Sequence, residues 1–361
     1  MDPNDISKQR ETIDRIDRQI IDLLEQRADC ASEIGRLKRA AGLPVFDPER
    51  EVQLKNKCSN REAGLLPCGA LKRIFTEIVS ACRAVQQPLK VAFLGPEGTF
   101  THVAAMDHFG GSCEFMPRGS IVDVFSEVER GDVTFGVVPV ENSTEGSVGL
   151  TLDQLAVSSL KICGEIVGRV CHALMSRALD FAAINTVLSH PQALAQCREW
   201  LVRNLPHAVV LQESSTAAAA RRAAEEPGTA AVGGEVLAEF YGLQVLARNI
   251  QDRALNMTRF IVLGTRDCPR TGKDKTSIVF ATAHRPGTLH HALSPFSEQG
   301  INLTRIESRP AKDTPWRYIF FVDFEGHVQD GPVAGVIEAL APHVERLKIL
   351  GSYPAGEAPG E

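Results

Sequence analysis

The stretch GVVPVENSTEGSVG, residues 136–149, brings a run of apolar residues to an abrupt end in Glu141, Asn142 and Ser143. A short apolar run is typical of a buried strand, and the Asn, Ser and Gly that follow it are typical of a turn. A carboxylate, an amide and a hydroxyl at the end of a rigid strand are also groups that line clefts. From these residues alone, a plain turn and a cleft are both open for Glu141, Asn142 and Ser143.

The sequence around this stretch alternates between strand and helix patterns from Val91 to residue 267. Short apolar runs such as VAFLG, FGVVPV and TVLSH are followed by helical stretches such as ALAQCREWLV and TAAAARRAAEE. This alternation predicts an α/β domain with a mainly parallel sheet. The polar segment CPRTGKDK, residues 268–275, reads as a linker.

The residues before this domain, from 6 to 86, have the period of helices. Apolar residues recur at steps of three and four in the first helix: Ile13, Ile16, Ile20, Leu23 and Leu24. Gly42 and Pro44 predict the end of this helix. Asp47 and Pro48 are a typical N-cap and first residue of a second helix.

The residues after the linker, from 276 to 350, predict the order strand, helix, strand, strand, helix and strand. This βαββαβ order is that of a small ferredoxin-like α+β domain. The chain is therefore predicted to contain three domains: an all-α domain over residues 1–88, an α/β domain over 89–267 and an α+β domain over 275–353.

The composition is that of an ordinary globular chain, with 361 residues of which 43% are hydrophobic and 23% charged. The formal net charge of −6 argues against a general nucleic-acid binder, and no apolar run reaches membrane-spanning length. The polar first residues are unlike a secretory signal, so we expect a cytoplasmic protein. The nine cysteines form no CxxC pair, and we expect neither a metal nor a cofactor.

Three cations lie on the core stripe of the first helix, namely Arg10, Arg27 and Lys38. Such side chains can snorkel, with the charge in water, but three on one seam favour an anion-binding interior. Arg10 and Arg27 are about 25 Å apart along a helix, whereas Arg27 and Lys38 are about 16 Å apart. One small ligand can meet Arg10 only from an antiparallel partner helix, which predicts an intertwined dimer.

The segment RETIDRIDRQIIDLLEQRADCASEIGRLK, followed by FDPERE, resembles the all-helical chorismate mutases over most of residues 5–86. This resemblance implies that Arg10 acts in the site of the partner subunit. It implies substrate-binding positions at Arg10, Arg27, Lys38, Asp47, Arg50, Glu51, Cys82 and Gln86. Cys82 stands where some members of the family have a serine.

The rearrangement of chorismate to prephenate suits such a site because it needs no nucleophile or metal. Arg10 and Arg27 would hold the two carboxylates. Lys38 and Gln86 would donate hydrogen bonds to the ether oxygen as it gains negative charge. Glu51, like Asp47, suits either the orientation of the substrate hydroxyl or the dipole of its helix.

Four apolar runs of the α/β region end in polar clusters: GPEGTFTHVAA (95–105), VPVENSTEGSV (138–148), SHPQALAQC (189–197) and NMTRF (256–260). Strand ends are where open α/β sheets bind ligands. In this order the clusters resemble prephenate dehydratase over about residues 90–265. The resemblance implies two α/β lobes that face a cleft, as in periplasmic solute-binding proteins. Gly149 and Leu150 depart from the Asn-His pair that relatives often have.

The resemblance implies active-site positions at Asn142, Ser189, Gln196 and Thr258, with Glu141 and Phe260 beside them. It therefore implies that Glu141, Asn142 and Ser143 face a cleft. Prephenate loses carbon dioxide and hydroxide to give phenylpyruvate, so the site must assist the departing hydroxide. A hydrogen bond from Thr258, and electrostatic stabilisation with proton delivery through water, are both open. Ser215 and Thr216 precede the Ala-rich helix, where they suit a plain N-cap or a carboxylate site. His190 by itself reads as a turn residue.

The segment HRPGTLHHALSPFSEQGINLTRIESRP, residues 284–310, resembles the ACT domain. The resemblance implies that paired domains bind phenylalanine through Gly287, Thr288, Leu289, Glu307, Ser308, Arg309 and Pro310. Gly287 would let a backbone approach the ligand, and Thr288 replaces the alanine usual in the family. Without the resemblance, the ESRP sequence reads simply as the end of a strand.

The three resemblances together predict a bifunctional enzyme of phenylalanine biosynthesis with a phenylalanine-regulated module. We expect at least a dimer, chorismate and prephenate as substrates, and no nucleic-acid or membrane partner. Two alternatives stay open, an enzyme that prefers arogenate and a two-lobed amino-acid sensor without chemistry.

Overall fold

The computed structural model describes residues 3–43, 45–46, 48–59, 64–253, 255–311 and 317–356. Pro44 and Asp47, for which the sequence predicts helix-terminal roles, lie outside these residues. The chain forms two compact units. The first comprises residues 1–89 and 107–114, and the second comprises residues 90–106 and 115–361.

The first unit is built on three helices: α1 (Pro3–Ala40), α2 (Pro48–Ser59) and α3 (Cys68–Gln86). The predicted all-helical architecture is confirmed. Helix α1 is continuous, and it ends in a turn in which Gly42 has a φ of 65° and Leu43 N donates to Lys38 O over 2.9 Å. Glycine adopts this left-handed conformation at no steric cost, which explains why the helix stops there.

One face of α1 is apolar and open to solvent. Ile13, Ile20 and Leu23 are 55%, 48% and 62% exposed, although they belong to the helical stripe that the sequence predicts as core. The opposite side of α1 packs on α3 so closely that a Cβ at Gly35 would lie 2.9 Å from Gln86 Cβ. A single copy of the chain therefore buries only part of the apolar surface of α1.

The remaining elements follow in chain order. The strands are β1 (Lys90–Leu94), β2 (Glu114–Arg118), β3 (Phe135–Asn142), β4 (Gly146–Ser147), β5 (Lys161–Arg169), β6 (Ala173–Ser176), β7 (Thr186–Ser189), β8 (Val209–Gln212), β9 (Thr229–Gly233), β10 (Gln244–Ala247), β11 (Met257–Gly264), β12 (Asp274–Ala281), β13 (Leu303–Pro310), β14 (Tyr318–Glu325) and β15 (Arg346–Pro354). The helices are α4 (Phe100–Phe109), α5 (Ile121–Arg130), α6 (Gly149–Val157), α7 (Pro191–Gln196), α8 (Arg198–Asn204), α9 (Thr216–Glu225), α10 (Val236–Tyr241), α11 (Thr288–Glu298) and α12 (Gly331–Leu340), and a 3-10 turn covers Ala341–His343.

Two sheets form the predicted pair of lobes in the second unit. The first has the strand order β2-β1-β3-β11-β5, with β4 beside β3, and the second has the order β10-β6-β9-β7-β8. Each sheet is mixed rather than mainly parallel. The chain crosses to the second lobe after β5, and it returns in β11, which runs antiparallel to both β3 and β5. This return strand brings residues 257–264 beside residues 136–142.

The C-terminal part of the second unit has the predicted βαββαβ order, with the sheet β13-β14-β12-β15. One face of this sheet packs on α11 and α12 through Phe280, Phe296 and Val336. The other face carries Phe321 and Tyr353, which join the core of the first lobe. The small domain is thus fused to the lobe that contains β3 and β11. Within the described residues, no helix has the length and apolar character needed to cross a membrane.

Candidate active sites

A cavity of about 480 Å³ opens between the two lobes. The first lobe lines it with Phe100, Asn142 and Thr258, and the second with Gln196 and Thr216. This volume lies in the range of sites for small organic molecules. The cavity therefore brings three of the four predicted catalytic side chains of this domain, Asn142, Gln196 and Thr258, to one place.

Asn142 and Thr258 pair across β3 and β11. Asn142 Nδ2 donates to Thr258 Oγ1 over 2.8 Å and to Asn256 Oδ1 over 2.9 Å. Its Oδ1 accepts from the backbone N–H groups of Thr144 and Glu145, at 2.9 and 3.2 Å. A backbone N–H can only donate, and this assigns the orientation of the amide. Since Thr258 Oγ1 accepts from Asn142, its own O–H is left to donate into the cavity.

Asn256 extends this hydrogen-bond chain to the second lobe. Its Oδ1 already accepts from Asn142, so its Nδ2 is the donor to Gln196 Oε1 at 2.9 Å. The same Oε1 lies 2.9 Å from His172 Nε2, which must therefore be the protonated ring nitrogen. Among the described residues, none accepts from Gln196 Nε2. Two side chains that line the cavity thus retain a donor without a partner among the described residues, the hydroxyl of Thr258 and the amide nitrogen of Gln196.

His172 lies at the crossover between the lobes and is 2% exposed. The ring of Phe100 approaches it edge-on, with 5.5 Å between the ring centroids. Burial lowers the pKa of His172, although the hydrogen bond with Gln196 acts in the opposite direction. The imidazole is therefore neutral at pH 7.

Backbone N–H groups meet the cavity at the start of α9. Ser215 is the N-cap of this helix, and its Oγ accepts from Ala218 N over 3.0 Å. Ser214 and Thr216 line the cavity beside it. The cap fixes the first turn of α9, where unpaired N–H groups favour an anion. His190 also lines the cavity, and its Nδ1 accepts from Gln192 N over 3.4 Å as the N-cap of α7.

The other predicted side chains of this region have different surroundings. Ser189 is fully buried, and its Oγ donates to Val232 O over 2.5 Å rather than into the cavity. Phe260 lines the cavity. Of the polar trio at the end of β3, only Asn142 reaches the cavity, since Ser143 Oγ accepts from Met257 N over 3.0 Å.

Glu141 points to the opposite face of β3 because neighbouring residues of a strand alternate. Its carboxylate contacts Arg305 Nε at 3.3 Å and Arg259 Nη1 at 3.6 Å. Arg259 also contacts Glu165 at 2.5 Å and Asp323 at 2.6 Å. Burial lowers the pKa of Arg259, but Tyr353, Asp323 and Glu165 together outweigh burial and raise it. This ionic cluster joins the first lobe to the C-terminal sheet.

A second set of contacts joins the ESRP strand to the first lobe. Glu307 Oε2 accepts from Ser147 Oγ over 2.9 Å, and Arg305 Nη2 donates to the same hydroxyl over 2.7 Å. Arg309 Nε donates to Asp153 over 3.1 Å, and a Cβ at Gly149 would lie only 2.7 Å from Arg309 Nη1. Gly149 therefore makes room for Arg309 where a larger residue would displace it.

The turn before α11 contains the first of the residues predicted for the ACT domain. Gly287 is the N-cap of α11 with a φ of 83°, in the left-handed region that favours glycine. Thr288 Oγ1 donates to Ala283 O over 2.9 Å. The predicted positions Leu289, Ser308 and Pro310 lie on α11 and β13.

Two of the eight residues predicted for the helical unit lie at the contact between α1 and α3, since Arg27 bonds to α3 and Gln86 packs against Gly35 of α1. Arg27 Nη1 donates to Ile78 O over 3.5 Å, and Gln86 Nε2 donates to Cys82 O over 3.4 Å. Lys38 Nζ donates to Val45 O over 3.0 Å. Cys82 is buried.

Arg10, Arg50 and Glu51 lie apart from these residues. Arg10 is exposed near the start of α1, and Arg50 Nη1 donates to Gln53 Oε1 over 3.2 Å. Glu51 pairs with the buried Arg83. One copy of the chain does not bring Arg10 next to Arg27.

Three residues of the second unit are absent from the sequence-based prediction of its sites, namely His172, Asn256 and Arg259. Asn256 and Arg259 belong to the same NMTRF cluster as Thr258, and this shared position at a strand end is the sequence signal for them. His172 lies three residues after the end of β5, between Cys171 and Ala173, and no polar neighbour marks it. Only the crossover of the chain brings it to Gln196.

Family models match the chain in three consecutive segments. The chorismate mutase type II model matches residues 9–87, the prephenate dehydratase model matches residues 91–268 and the ACT domain model matches residues 276–342.

Two curated relatives match nearly the whole chain. The bifunctional chorismate mutase/prephenate dehydratase of Aquifex aeolicus is 47% identical over 97% of this chain and 98% of its own length. The enzyme of the same name from Stutzerimonas stutzeri is 43% identical over 96% of each chain. A solved structure of prephenate dehydratase in complex with L-Phe, from Arthrobacter aurescens, is 36% identical with a TM-score of 0.69, and the match covers 74% of this chain and 90% of that one.

Proposed function

The chain belongs to the family of bifunctional chorismate mutase/prephenate dehydratases and is an enzyme with both activities, and from this premise we propose where each reaction takes place and what controls it. The rearrangement is assigned to the helical unit. The dehydration is assigned to the cavity between the two lobes, and the control to phenylalanine bound by the ACT domain. The limits of 1–88, 89–267 and 275–353 for the three domains are part of this proposal.

The cations of α1 carry the proposed rearrangement site. Arg27 and Arg10 hold the two carboxylates of chorismate, and Lys38 and Gln86 donate to the ether oxygen as its bond to the ring breaks. The position of Arg27 and Gln86 at the contact between α1 and α3, with Lys38 further along α1, supports this assignment. Asp47, Arg50, Glu51 and Cys82 complete the proposed substrate-binding set.

A second copy of the chain is the proposed partner of the helical unit. Arg10 and Arg27 lie on one continuous helix, about 25 Å apart by its rise per residue, so a small ligand meets both only when Arg10 comes from another protomer. The exposed apolar face of α1, with Ile13, Ile20 and Leu23, supplies the surface for an antiparallel helix. We therefore propose a dimer with shared sites.

The hydroxyl of Thr258 is the proposed donor in the dehydration, and one observation carries this proposal. Asn142 Nδ2 donates to Thr258 Oγ1 over 2.8 Å, which leaves the threonine hydrogen free for the hydroxyl that departs from prephenate. As the ring C–O bond breaks, the electron pair of the bond to the ring carboxylate completes the aromatic ring and carbon dioxide leaves. The departing hydroxide accepts the hydrogen bond from Thr258 and takes up a proton from solvent, which converts it to water.

The remaining groups of the cavity suit the two ends of the substrate. Gln196 Nε2 is placed to donate to the departing oxygen together with Thr258, where charge develops in the transition state. The first turn of α9, at Ser214 and Thr216, offers backbone N–H groups to a carboxylate.

Ser189 is proposed to support the site through β9, and Glu141 through the ionic cluster behind β3. Phe260 supplies an apolar wall.

Prephenate is the proposed substrate of this cavity, with arogenate as the alternative. The two compounds differ in the side chain, which is a keto acid in prephenate and an amino acid in arogenate. The described residues that line the cavity include no side-chain carboxylate other than Glu145. Glu145 could pair with the ammonium group of arogenate, so the preference for the keto acid is supported instead by the curated relatives, which are named prephenate dehydratases. Supplying each compound and identifying phenylpyruvate or phenylalanine distinguishes the two.

Phenylalanine is the proposed effector of the ACT domain. The relative from Arthrobacter aurescens was solved with L-Phe, and the proposed binding positions here are Gly287, Thr288, Leu289, Glu307, Ser308, Arg309 and Pro310. The contacts of Arg305 and Glu307 with Ser147, a residue of the cavity wall, support a route from this strand to the dehydratase site.

Separate variants test the assignment of two sites. We expect Arg27→Ala to abolish the rearrangement of chorismate while the dehydration of supplied prephenate stays intact. Thr258→Ala should have the opposite effect, with Thr258→Ser as the conservative control that keeps the hydroxyl. If either alanine variant is folded and has lost both activities, the assignment of separate sites is wrong.

A further inference from the structure

We propose that His172 is a positioning residue of the dehydration, which holds Gln196 through its Nε2–H so that the amide nitrogen of Gln196 is directed into the cavity. The inference rests on the proposed function in one respect, the assignment of dehydration to this cavity. It is carried by the direction of the hydrogen bonds that lead from the turn after β3, through Asn142, Asn256 and Gln196, to the imidazole.

The backbone of His172 is pinned at the crossover between the lobes. His172 N donates to Gln251 Oε1 over 2.9 Å, and Ile250 N donates to His172 O over 2.9 Å. Two residues earlier, Val170 N donates to Asn256 O over 2.8 Å. The imidazole therefore extends from a backbone that is held by hydrogen bonds to Ile250, Gln251 and Asn256, the residues that precede β11.

The chain of amides has one consistent direction. Backbone donors fix Asn142, which donates to Asn256, and Asn256 in turn donates to Gln196 Oε1. A carbonyl oxygen has two lone pairs, and at Gln196 Oε1 the second accepts from His172 Nε2. With both lone pairs occupied, Gln196 has only its N–H groups to offer, and these are the groups that a departing oxygen needs.

The neutral state of His172 fits this role. Its Nδ1 is buried and has no hydrogen-bond partner among the described residues. A proton on Nδ1 would create a buried charged donor, which is costly without an acceptor. The ring is thus kept in the one neutral tautomer that donates from Nε2 to Gln196.

Removal of this donor should act on the transition state more than on substrate binding. Gln196 would keep its bond from Asn256 but would gain rotamers in which its amide leaves the cavity. The hydrogen bond from Gln196 to the departing oxygen strengthens only as negative charge develops on that oxygen in the transition state. A misplaced amide therefore lowers the rate of the chemical step. We expect kcat for prephenate to fall by about 10- to 100-fold, with KM changed by less than about threefold.

Three substitutions at His172 separate positioning from packing. The amide of His172→Gln can place an N–H near the position of Nε2, and this variant should retain kcat to within about fivefold of the parent. His172→Asn reaches only the position of Nδ1, and His172→Leu has no donor, so both should show the full loss. Chorismate turnover by the same chains and their thermal unfolding control for folding. Long-range ¹H–¹⁵N spectra of the parent should show a proton on Nε2 alone.

A double-mutant cycle with Gln196 shows whether His172 acts through that residue. In the background of Gln196→Ala, His172→Leu should lower kcat by less than a further threefold. The same substitution should cost its full factor when Gln196 is present. Equal losses in the Gln and Leu variants, or full additivity in the cycle, would overturn the proposal.

The cycle also distinguishes this inference from the proposed function. If Thr258→Ala and Gln196→Ala both keep full dehydratase activity, the cavity is not the site of dehydration. If these two variants are inactive while His172→Leu retains full kcat, only the positioning role of His172 is wrong. His327→Leu is a matched control, since His327 is equally buried and hydrogen-bonded but lies in the ACT domain.

Discussion

Arg259 Nη1 lies 2.6 Å from Asp323 Oδ2, which ties strand β11 of the dehydratase domain to strand β14 of the ACT domain. Arg259 follows Thr258 directly, and the two side chains leave the strand on opposite faces. Thr258 reaches the cavity between the two lobes, and Arg259 reaches the sheet of the ACT domain. A movement of the ACT sheet that shifts Asp323 therefore acts on the strand that holds the proposed donor hydroxyl.

We expect Arg259→Met to lower the free energy of unfolding by about 3–5 kcal/mol, because it leaves the buried carboxylates of Glu165 and Asp323 without their shared cation. Urea unfolding followed by circular dichroism measures this loss. Asp323→Leu combined with Arg259→Met should recover part of it, since the removal of both partners leaves fewer uncompensated charges.

An exposed ion pair of the same ACT domain provides the control for this prediction. Arg317 pairs with Glu345, and both side chains are more than two-fifths exposed. Arg317→Met should cost less than about 1 kcal/mol, since surface pairs contribute little. A similar cost for Arg317→Met and Arg259→Met would contradict a structural role for the buried cluster.

Arg305→Lys should weaken the inhibition of dehydration by phenylalanine. Lysine keeps the positive charge near Glu141 and Asp323, but it loses the planar fork that donates to Ser147. We expect the phenylalanine concentration for half inhibition to rise by about 3- to 10-fold, which is a coupling loss of about 0.7–1.4 kcal/mol. Direct binding of phenylalanine, measured by calorimetry, controls for damage to the effector site. An unchanged inhibition curve would exclude this contact from the route.

Mixed dimers test whether Arg10 acts across protomers. Arg10→Ala and Arg27→Ala chains should each lack mutase activity. A heterodimer of the two contains one site with both arginines intact and one with neither. Random mixing after unfolding and refolding should therefore restore about one quarter of the parental activity. Arg10→Ala mixed with Arg10→Ala/Arg27→Ala serves as the negative control, since no mixed site there contains both arginines.

The sequence was sufficient for the type and order of most elements, though not for the mixed sheets, because periodicity and turn residues are local signals. The helical stripe of α1, the turn at Gly42 and the βαββαβ order all depend on neighbours within a few residues. The strand that ends in Asn142 was also readable from its apolar run. The antiparallel return of β11 was not, since it depends on which lobe the chain re-enters.

The cavity was predictable only in part for a related reason. Asn142, Gln196 and Thr258 follow apolar runs and belong to motifs that resemble known ones. Ser189 has the same sequence signal, yet its hydroxyl turns to a backbone carbonyl of β9. His172 has no signal at all, because its role arises from a contact with Gln196, which lies 24 residues further along the chain.

Acid should destabilise the dehydratase domain through two buried histidines. Burial lowers the pKa of His172 and of His102, the second of which is 5% exposed and stacks on Phe93 with 4.5 Å between the ring centroids. The unfolded chain binds protons at these residues below about pH 6.5, whereas the folded chain resists protonation until a lower pH. The unfolded state therefore holds more protons in this window, and the free energy of unfolding falls as the pH drops below about 6.5. Above that pH the contribution is complete and constant.

Urea unfolding at pH 7.5, 6.5 and 5.5 should show this decline, and His172→Gln should show a shallower one, because the variant has no proton to gain at that position. A decline of unchanged steepness in His172→Gln would assign the acid sensitivity to other groups.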